Sequence, residues 1–299
     1  MGNNSPLVSI VIPAYNHAHF LAEALASVRA QTMRDWEAIV VDNHSEDDTA
    51  AVVAAAGDDR ISRVLIRNEG IISASRNMGM ALSKGKYIAF LDADDIWHPE
   101  KLARCVARLQ AGADVVCHGE RWVSAKKIRT VVYGPEARAR YDRLLFEGNC
   151  ISTSAVVLHR DWVEKVGPFS TDRAFITAED YDYWLRLSRA GARIGFLPDT
   201  LGEYRIHEGN QTKAVLRNME AVKAVVESHI AGMSDRSFMH WIRVRRRLGI
   251  VYYSGARGLQ DREDYRAAWP WFAKAVMTWP LSAKFYVSAL FNAAGRSVR

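Results

Sequence analysis

Tyr87-Ile88-Ala89-Phe90-Leu91-Asp92-Ala93-Asp94-Asp95 is an apolar run that ends in three carboxylates within four residues. A short apolar run closed by polar residues reads as a buried strand. Carboxylates gathered at one strand end repel one another, and a positive partner relieves them. A hard divalent cation suits this role. Mg2+ and Mn2+ take few protein carboxylates and complete their coordination with water and substrate phosphates. The alternative is a solvated acidic turn ahead of the helix that follows Pro99.

Working outward, the same pattern recurs upstream. Val8-Ser9-Ile10-Val11-Ile12-Pro13 is β-branched and stopped by proline, and Trp36-Glu37-Ala38-Ile39-Val40-Val41-Asp42 is a second strand ending in an acid. Residues 61–66 form a third, and 87–91 the fourth. Between them, Phe20, Leu21, Ala24, Leu25 and Val28 fall at helical spacing within 16–30, and 73–82 reads as a further helix. Ser45-Glu46-Asp47-Asp48-Thr49 is expected to open a helix through 50–56 with acids in its first turn. This alternation predicts an α/β fold, a mostly parallel sheet with helices on both faces. Ligands of such sheets bind beyond the carboxyl ends of the strands, where Pro13-Ala14-Tyr15, Asp42 and Asp92-Ala93-Asp94 all fall.

Strands are expected near 114–118 and 154–158, a helix over 178–190, and a basic, polar loop with a helical piece over 126–150. From 214 onward the sequence is helical, and 257–280 resembles one tetratricopeptide-type hairpin closed by Trp279-Pro280. One such unit cannot build a solenoid. The expected organisation is therefore a domain over 1–213 and a helical one over 214–299.

Composition narrows the function. Residues 211–299 hold 15 Lys/Arg against 6 Asp/Glu, a net +9, whereas 1–210 holds 25 against 28, a net −3. The basic, Trp-rich C-terminal part (Trp241, Trp269, Trp271, Trp279; Arg243, Arg245, Arg246, Arg247) suits an anionic lipid surface, packing on the other domain, or a homo-oligomer contact. Its basic residues form no nucleic-acid-binding module. Cys105, Cys117 and Cys150 show neither metal-ligand spacing nor a disulfide framework, which fits a reducing cytoplasm. The first six residues lack the basic and apolar regions of a signal peptide, and Pro280 and Lys284 interrupt the best membrane-span candidate.

The ordered set of motifs resembles the family-2 glycosyltransferases, which have the GT-A fold. The matching pieces are 8–16, Val40-Val41-Asp42-Asn43-His44-Ser45-Glu46-Asp47, Ser75-Arg76-Asn77-Met78-Gly79, 90–95, Ala178-Glu179-Asp180-Tyr181-Asp182-Tyr183-Trp184, and Tyr204-Arg205-Ile206-His207. The resemblance spans about 8–210. It implies inverting transfer of a sugar from a nucleotide-diphosphate sugar, with Mn2+ or Mg2+, and a UDP-sugar as the favoured donor. The acceptor class is a saccharide or lipid-linked saccharide of a cell-surface glycan such as lipopolysaccharide, capsule or exopolysaccharide. The place of work is the cytoplasm, up to the inner face of the plasma membrane.

The resemblance also assigns roles. Asp94 is the direct metal ligand, Asp92 faces the ribose or a metal-bound water, and Asp95 is supporting or structural. His207 is a further metal or diphosphate ligand, and Arg205 is an alternative phosphate donor. Asp42 accepts from the N–H of a uracil-type base, or else caps the next helix. The commoner Asp-Asp-Gly-Ser pattern is here Asp42-Asn43-His44-Ser45. Tyr15 stacks on the base or packs at the strand end, the backbone at Pro13 and Ala14 pairs with the base, and Arg76 contacts the donor or is a solvated helix charge. Single displacement needs a base beside the attacking hydroxyl, and Glu179-Asp180 matches the family's pair, with Asp180 as the base. The bland alternative is a helix N-terminus with Thr177 as cap. Trp184, four residues on, lines an acceptor pocket or lies in the core. Two other classes compete. One is a silent nucleotide-sugar-binding protein of the same fold. The other is a nucleotidyltransferase, which needs a glycine-rich triphosphate loop that Pro13-Ala14-Tyr15-Asn16-His17 does not supply.

Overall fold

A computed structural model describes residues 5–125, 127–207 and 214–297. The elements run β1 (Val8–Ala14), α1 (Ala18–Arg29), β2 (Trp36–Asp42), α2 (Thr49–Ala55), β3 (Ile61–Leu65), α3 (Ile72–Leu82), β4 (Tyr87–Phe90), β5 (Ile96–Trp97) and α4 (Lys101–Gln110). They continue with β6 (Val115–Ser124), β7 (Ile128–Val131), α5 (Tyr141–Glu147), β8 (Val156–His159), α6 (Asp161–Val166), α7 (Glu179–Arg189) and β9 (Ile194–Ile206). Four helices follow: α8 (Val215–Ala231), α9 (Phe238–Gln260), α10 (Tyr265–Thr278) and α11 (Ala283–Ala293). The chain divides into two compact units. The second holds α8 to α11 together with Leu145–Gly148 and Asp172–Tyr181, and the first holds the rest.

The first unit is one sheet ordered β3-β2-β1-β4-β8-β6-β9-β5, with β7 on β6. The four strands β3, β2, β1 and β4 are parallel, as the alternation predicts. The other half is mixed: β8 lies antiparallel between β4 and β6, while β6 and β9 are parallel. Both faces of the parallel half are covered. Val8, Ile10 and Ile12 pack with Leu21, Leu25 and Val28 of α1 and Leu102 and Val106 of α4. Val11 points the other way, against Gly79 of α3, where any added Cβ would collide with it. On that second face Phe90, Phe169 and Trp184 meet edge-on, so Trp184 is core. Period-two alternation with both faces covered explains why β1 is apolar at nearly every position.

Two sequence expectations change, and one long strand is added to them. The acids before α2 are not in its first turn, because the helix starts at Thr49; Asp47 instead accepts from the Thr49 N–H and hydroxyl and from the Ala18 N–H at the start of α1. β9 runs 13 residues through Pro198, which pattern reading does not extend across a proline. The register shift between His118 and Gly119 bulges the strand there and accommodates it. The expected hairpin over 257–280 is α9 against α10, and α9 begins far earlier, at Phe238.

In the second unit, Tyr252, Tyr253, Ala256, Ala268, Phe272, Ala275 and Phe285 form a separate core among α9, α10 and α11. No helix among the described residues is long and apolar enough to cross a membrane.

Candidate active site

The carboxyl ends of β1, β2 and β4 point the same way and bring the predicted residues to one edge. Pro13 and Ala14 lie opposite Val41 and Asp42, and the Ala14 carbonyl accepts from the Asn43 N–H at 2.9 Å. The loops beyond are tied to each other. The Asn16 N–H donates to Ser45 Oγ at 3.0 Å, and Asn16 Oδ1 accepts from the Glu46 N–H at 2.8 Å. Asn16 and His44 are both left-handed, with φ of 51° and 52°. His44 stands where the commoner motif has glycine, the residue that adopts this conformation without steric cost. Tyr15 is 53% exposed, so it is not a packed strand-end aromatic.

Asp42 is buried. Its Oδ1 accepts from the Ser45 N–H at 2.9 Å and its Oδ2 from Arg63 Nη1 at 2.7 Å. Arg63, on β3, escaped sequence reasoning. Only strand register, which sets Arg63 opposite Val40, brings its guanidinium within reach.

The three acids after β4 have three different fates. Asp92 accepts from Arg76 Nη2 at 2.9 Å, and its own N–H donates to Ser154 Oγ at 3.1 Å. Arg76 is buried, so it is not a solvated helix charge. Asp94 Oδ2 lies 2.9 Å from His207 Nε2, directly after β9. Asp95 is fully enclosed. Its Oδ1 accepts from the Arg205 N–H at 3.1 Å, and burial, aided by the neighbouring Asp94 charge, pushes its carboxyl well above the usual range. One acid is thus paired with arginine, one lies against histidine, and one is buried with its pKa raised, so the three carboxylates are not equivalent.

Arg205 does not present itself as a phosphate fork. Its guanidinium bonds the Asp94 carbonyl, Glu23 Oε2 and the Phe20 carbonyl, and so ties the end of β9 to the acidic loop. Phe20 packs on the His207 ring, centroids 4.5 Å apart, and His17 meets it edge-on at 5.7 Å. Burial lowers the His17 pKa, with the Asp94 charge opposing.

Among the described residues no three His, Cys, Asp or Glu side chains are grouped to hold a metal by themselves. The Asp94–His207 pair nevertheless fits one. Adjacent ligands of an octahedral ion at about 2.1 Å lie about 3 Å apart, close to the 2.9 Å between these two atoms. Two protein ligands leave positions for water and a diphosphate.

Asp180 lies in the first turn of α7, and its Oδ1 accepts from the Tyr181 N–H at 2.7 Å. Thr177 before it is left-handed, φ 86°, a strained conformation for a β-branched residue. Its N–H donates to Glu179 Oε2 at 2.8 Å and its hydroxyl to Asn218 Oδ1 at 3.4 Å on α8, so Thr177 is not the cap of α7.

Comparison with known proteins gives a consistent picture. Residues 9–167 match the family described as Glycosyl transferase family 2. The chain is 30% identical over 232 residues to the Escherichia coli UDP-Glc:alpha-D-GlcNAc-diphosphoundecaprenol beta-1,3-glucosyltransferase WfaP, covering 75% of this chain and 88% of that one. Among solved structures, S. aureus TarS in complex with UDP-GlcNAc superposes with a TM-score of 0.67 at 15% identity, over 98% of this chain and 93% of that one. The Pyrobaculum calidifontis mannosyltransferase PcManGT, in complex with GDP-Man and Mn2+, superposes with a TM-score of 0.63 at 18% identity, over 97% and 85%.

Proposed function

The chain belongs to glycosyl transferase family 2 and has the GT-A fold, and from that premise we propose that it transfers a sugar, with inversion, from a UDP-sugar to a lipid-linked saccharide. The reaction belongs to cell-surface glycan synthesis at the cytoplasmic face of the membrane, with the domain over 1–213 carrying catalysis. The observation that carries this reading is the Asp94–His207 pair beside the Arg76–Asp92 pair, at the strand ends where a nucleotide diphosphate binds in such sheets. The name of WfaP supports the donor base and the acceptor class.

Asp94 and His207 would hold Mn2+ or Mg2+, which supplies charge neutralisation to the departing diphosphate. The remaining work falls to the chain. Asp42, fixed by Ser45 and Arg63, accepts from the uracil N–H, while Tyr15 stacks on the ring and the Pro13–Ala14 backbone borders it. Asp92, oriented by Arg76, accepts from a ribose hydroxyl. Asp180 takes the proton of the acceptor hydroxyl as its oxygen bonds the anomeric carbon and the bond to the diphosphate breaks. The Glu179–Thr177 bond fixes the turn from which Asp180 projects.

The deciding experiment is thermal shift with UDP, GDP and their sugars, with and without Mn2+, followed by transfer to a diphosphate-linked lipid saccharide. A Mn2+-dependent rise with uridine nucleotides and product formation are expected. A rise with guanosine nucleotides alone overturns the donor, and transfer only to water-soluble saccharides overturns the acceptor.

A further inference from the structure

Helix α11 buries two polar side chains and exposes several large apolar ones. Its buried positions are Phe285, Ser288 and Asn292, and the two polar residues make internal hydrogen bonds. Ser288 Oγ and the Tyr253 hydroxyl are 2.9 Å apart, the Ser288 carbonyl accepts from Gln260 Nε2 at 2.9 Å, and Asn292 Nδ2 donates to the Tyr265 carbonyl at 2.8 Å. Its outward positions carry Tyr286, Val287, Leu290 and Phe291, which are 44%, 46%, 70% and 41% exposed. The spacing i, i+1, i+4, i+5 places them on one face. Met277 and Leu281, just before the helix, are 69% and 77% exposed. A helix bathed in water has the opposite arrangement, and so large an apolar surface marks a contact.

Charge identifies the contact. From Tyr265 to the C-terminus there is no Asp or Glu, whereas Arg266, Lys274, Lys284, Arg296 and Arg299 are basic. Lys284 and Arg296 are exposed at the two ends of α11. Three of the four arginines of the α9 run are employed within their own unit, Arg246 being exposed: Arg243 lies over the Phe146 ring, Arg245 caps α10 through the Met277 and Thr278 carbonyls, and Arg247 is buried beside the Tyr181 hydroxyl. A second copy on this face would set the basic residues of α11 against like charges.

We propose that the outer face of α11, with Met277 and Leu281, seats on an anionic lipid bilayer. The helix lies in the interface plane, its apolar side chains among the acyl chains and Lys284 and Arg296 at the headgroups. The inference deepens the proposed function, since it serves a lipid-linked acceptor, but its test needs no acceptor.

The full chain is sedimented with vesicles of phosphatidylglycerol and phosphatidylcholine in equal parts, and with phosphatidylcholine alone. Binding to the anionic vesicles, weakened by salt, is expected. The exposed double variant Leu290→Glu/Phe291→Glu lowers partitioning by about tenfold or more, and Lys284→Glu/Arg296→Glu lowers it several-fold on anionic vesicles only. Unchanged melting temperatures show that both variants fold. Equal binding to neutral vesicles, variants that bind like the parent, or a solution dimer abolished by Leu290→Glu/Phe291→Glu without vesicle binding each overturn the proposal. Transfer to a lipid-linked saccharide without vesicle binding sinks this inference alone, whereas vesicle binding without transfer sinks only the acceptor assignment.

Discussion

His207 Nε2 stands 2.9 Å from Asp94 Oδ2 although 113 residues separate them in sequence. The pairing of β5 with β9 brings this about. Ile96, directly after the acidic loop, lies opposite Glu203, and Arg205 then bonds the Asp94 carbonyl, so the chain delivers His207 to the carboxylate. Asp94→Asn keeps the shape of the loop and removes the charge. It is expected to abolish the Mn2+-dependent thermal shift with UDP and to lower transfer by about 10²–10³-fold. His207→Ala should weaken metal binding roughly tenfold or more, read by Mn2+ titration of the same shift. Near-normal Mn2+ dependence in Asp94→Asn would remove that residue from the metal site.

Asp180→Asn separates binding from chemistry. UDP-sugar affinity should match the parent while transfer falls by about 10²–10⁴-fold, the usual worth of a general base. The check is isothermal titration beside a single-turnover assay. Substantial residual transfer moves the base to another residue.

His44 is held left-handed at a position where glycine would carry no penalty. A left-handed L-residue costs about 1–2 kcal/mol, and glycine returns about 0.5–1 kcal/mol of that as entropy of the unfolded chain. His44→Gly should therefore leave stability unchanged or raise it by up to about 1 kcal/mol in urea unfolding, and His44→Val should lower it. A clear loss in the glycine variant would mean that the imidazole itself supports the loop.

Lys101 is wholly buried, its Nζ 3.2 Å from the Trp97 ring centre and without a hydrogen-bond partner among the described residues. Burial lowers its pKa from 10.5 to about 7. Between those values the unfolded chain holds a proton that the folded one does not, so this residue makes stability rise with pH from about 7 to 10.5. Lys101→Met should lack that slope and be more stable at neutral pH by about 1–3 kcal/mol. The measurement is urea unfolding of both proteins at pH 7 and pH 10. An equal pH slope in the two would exclude Lys101 as its source.

The parallel half of the fold is legible because β1, β2 and β4 are continuous apolar runs with polar punctuation at their ends. β9 is not, because Pro198 interrupts its pattern and only the bulge against β6 explains its survival. The positions of Asp42, Asp92 and Asp94 at strand ends, and of Arg76 on the helix between them, follow from motif and alternation. Their partners do not. Arg63 depends on cross-strand register, and His207 reaches Asp94 through a two-residue strand too short to show any period. The different fates of Asp92, Asp94 and Asp95 are set by burial, which adjacent identical letters cannot reveal. The sequence reading of the basic, Trp-rich C-terminal part pointed to the arginines and tryptophans, but Arg243, Arg245 and Arg247 are engaged within their own unit. The exposed apolar face of α11 is disclosed only by the packing.

The joining of β5 to β9 also bears on synthesis. A nascent chain that has emerged as far as β8 already carries Asp42, Asp92, Asp94 and Asp95 and all four strands of the parallel half. It still lacks the residues that follow Gly202, and so has nothing to place beside Asp94. Termination between β8 and the end of β9 thus yields a fragment that has these acids but no His207 to set beside Asp94, so this pair is completed only after nearly the whole first unit has been made.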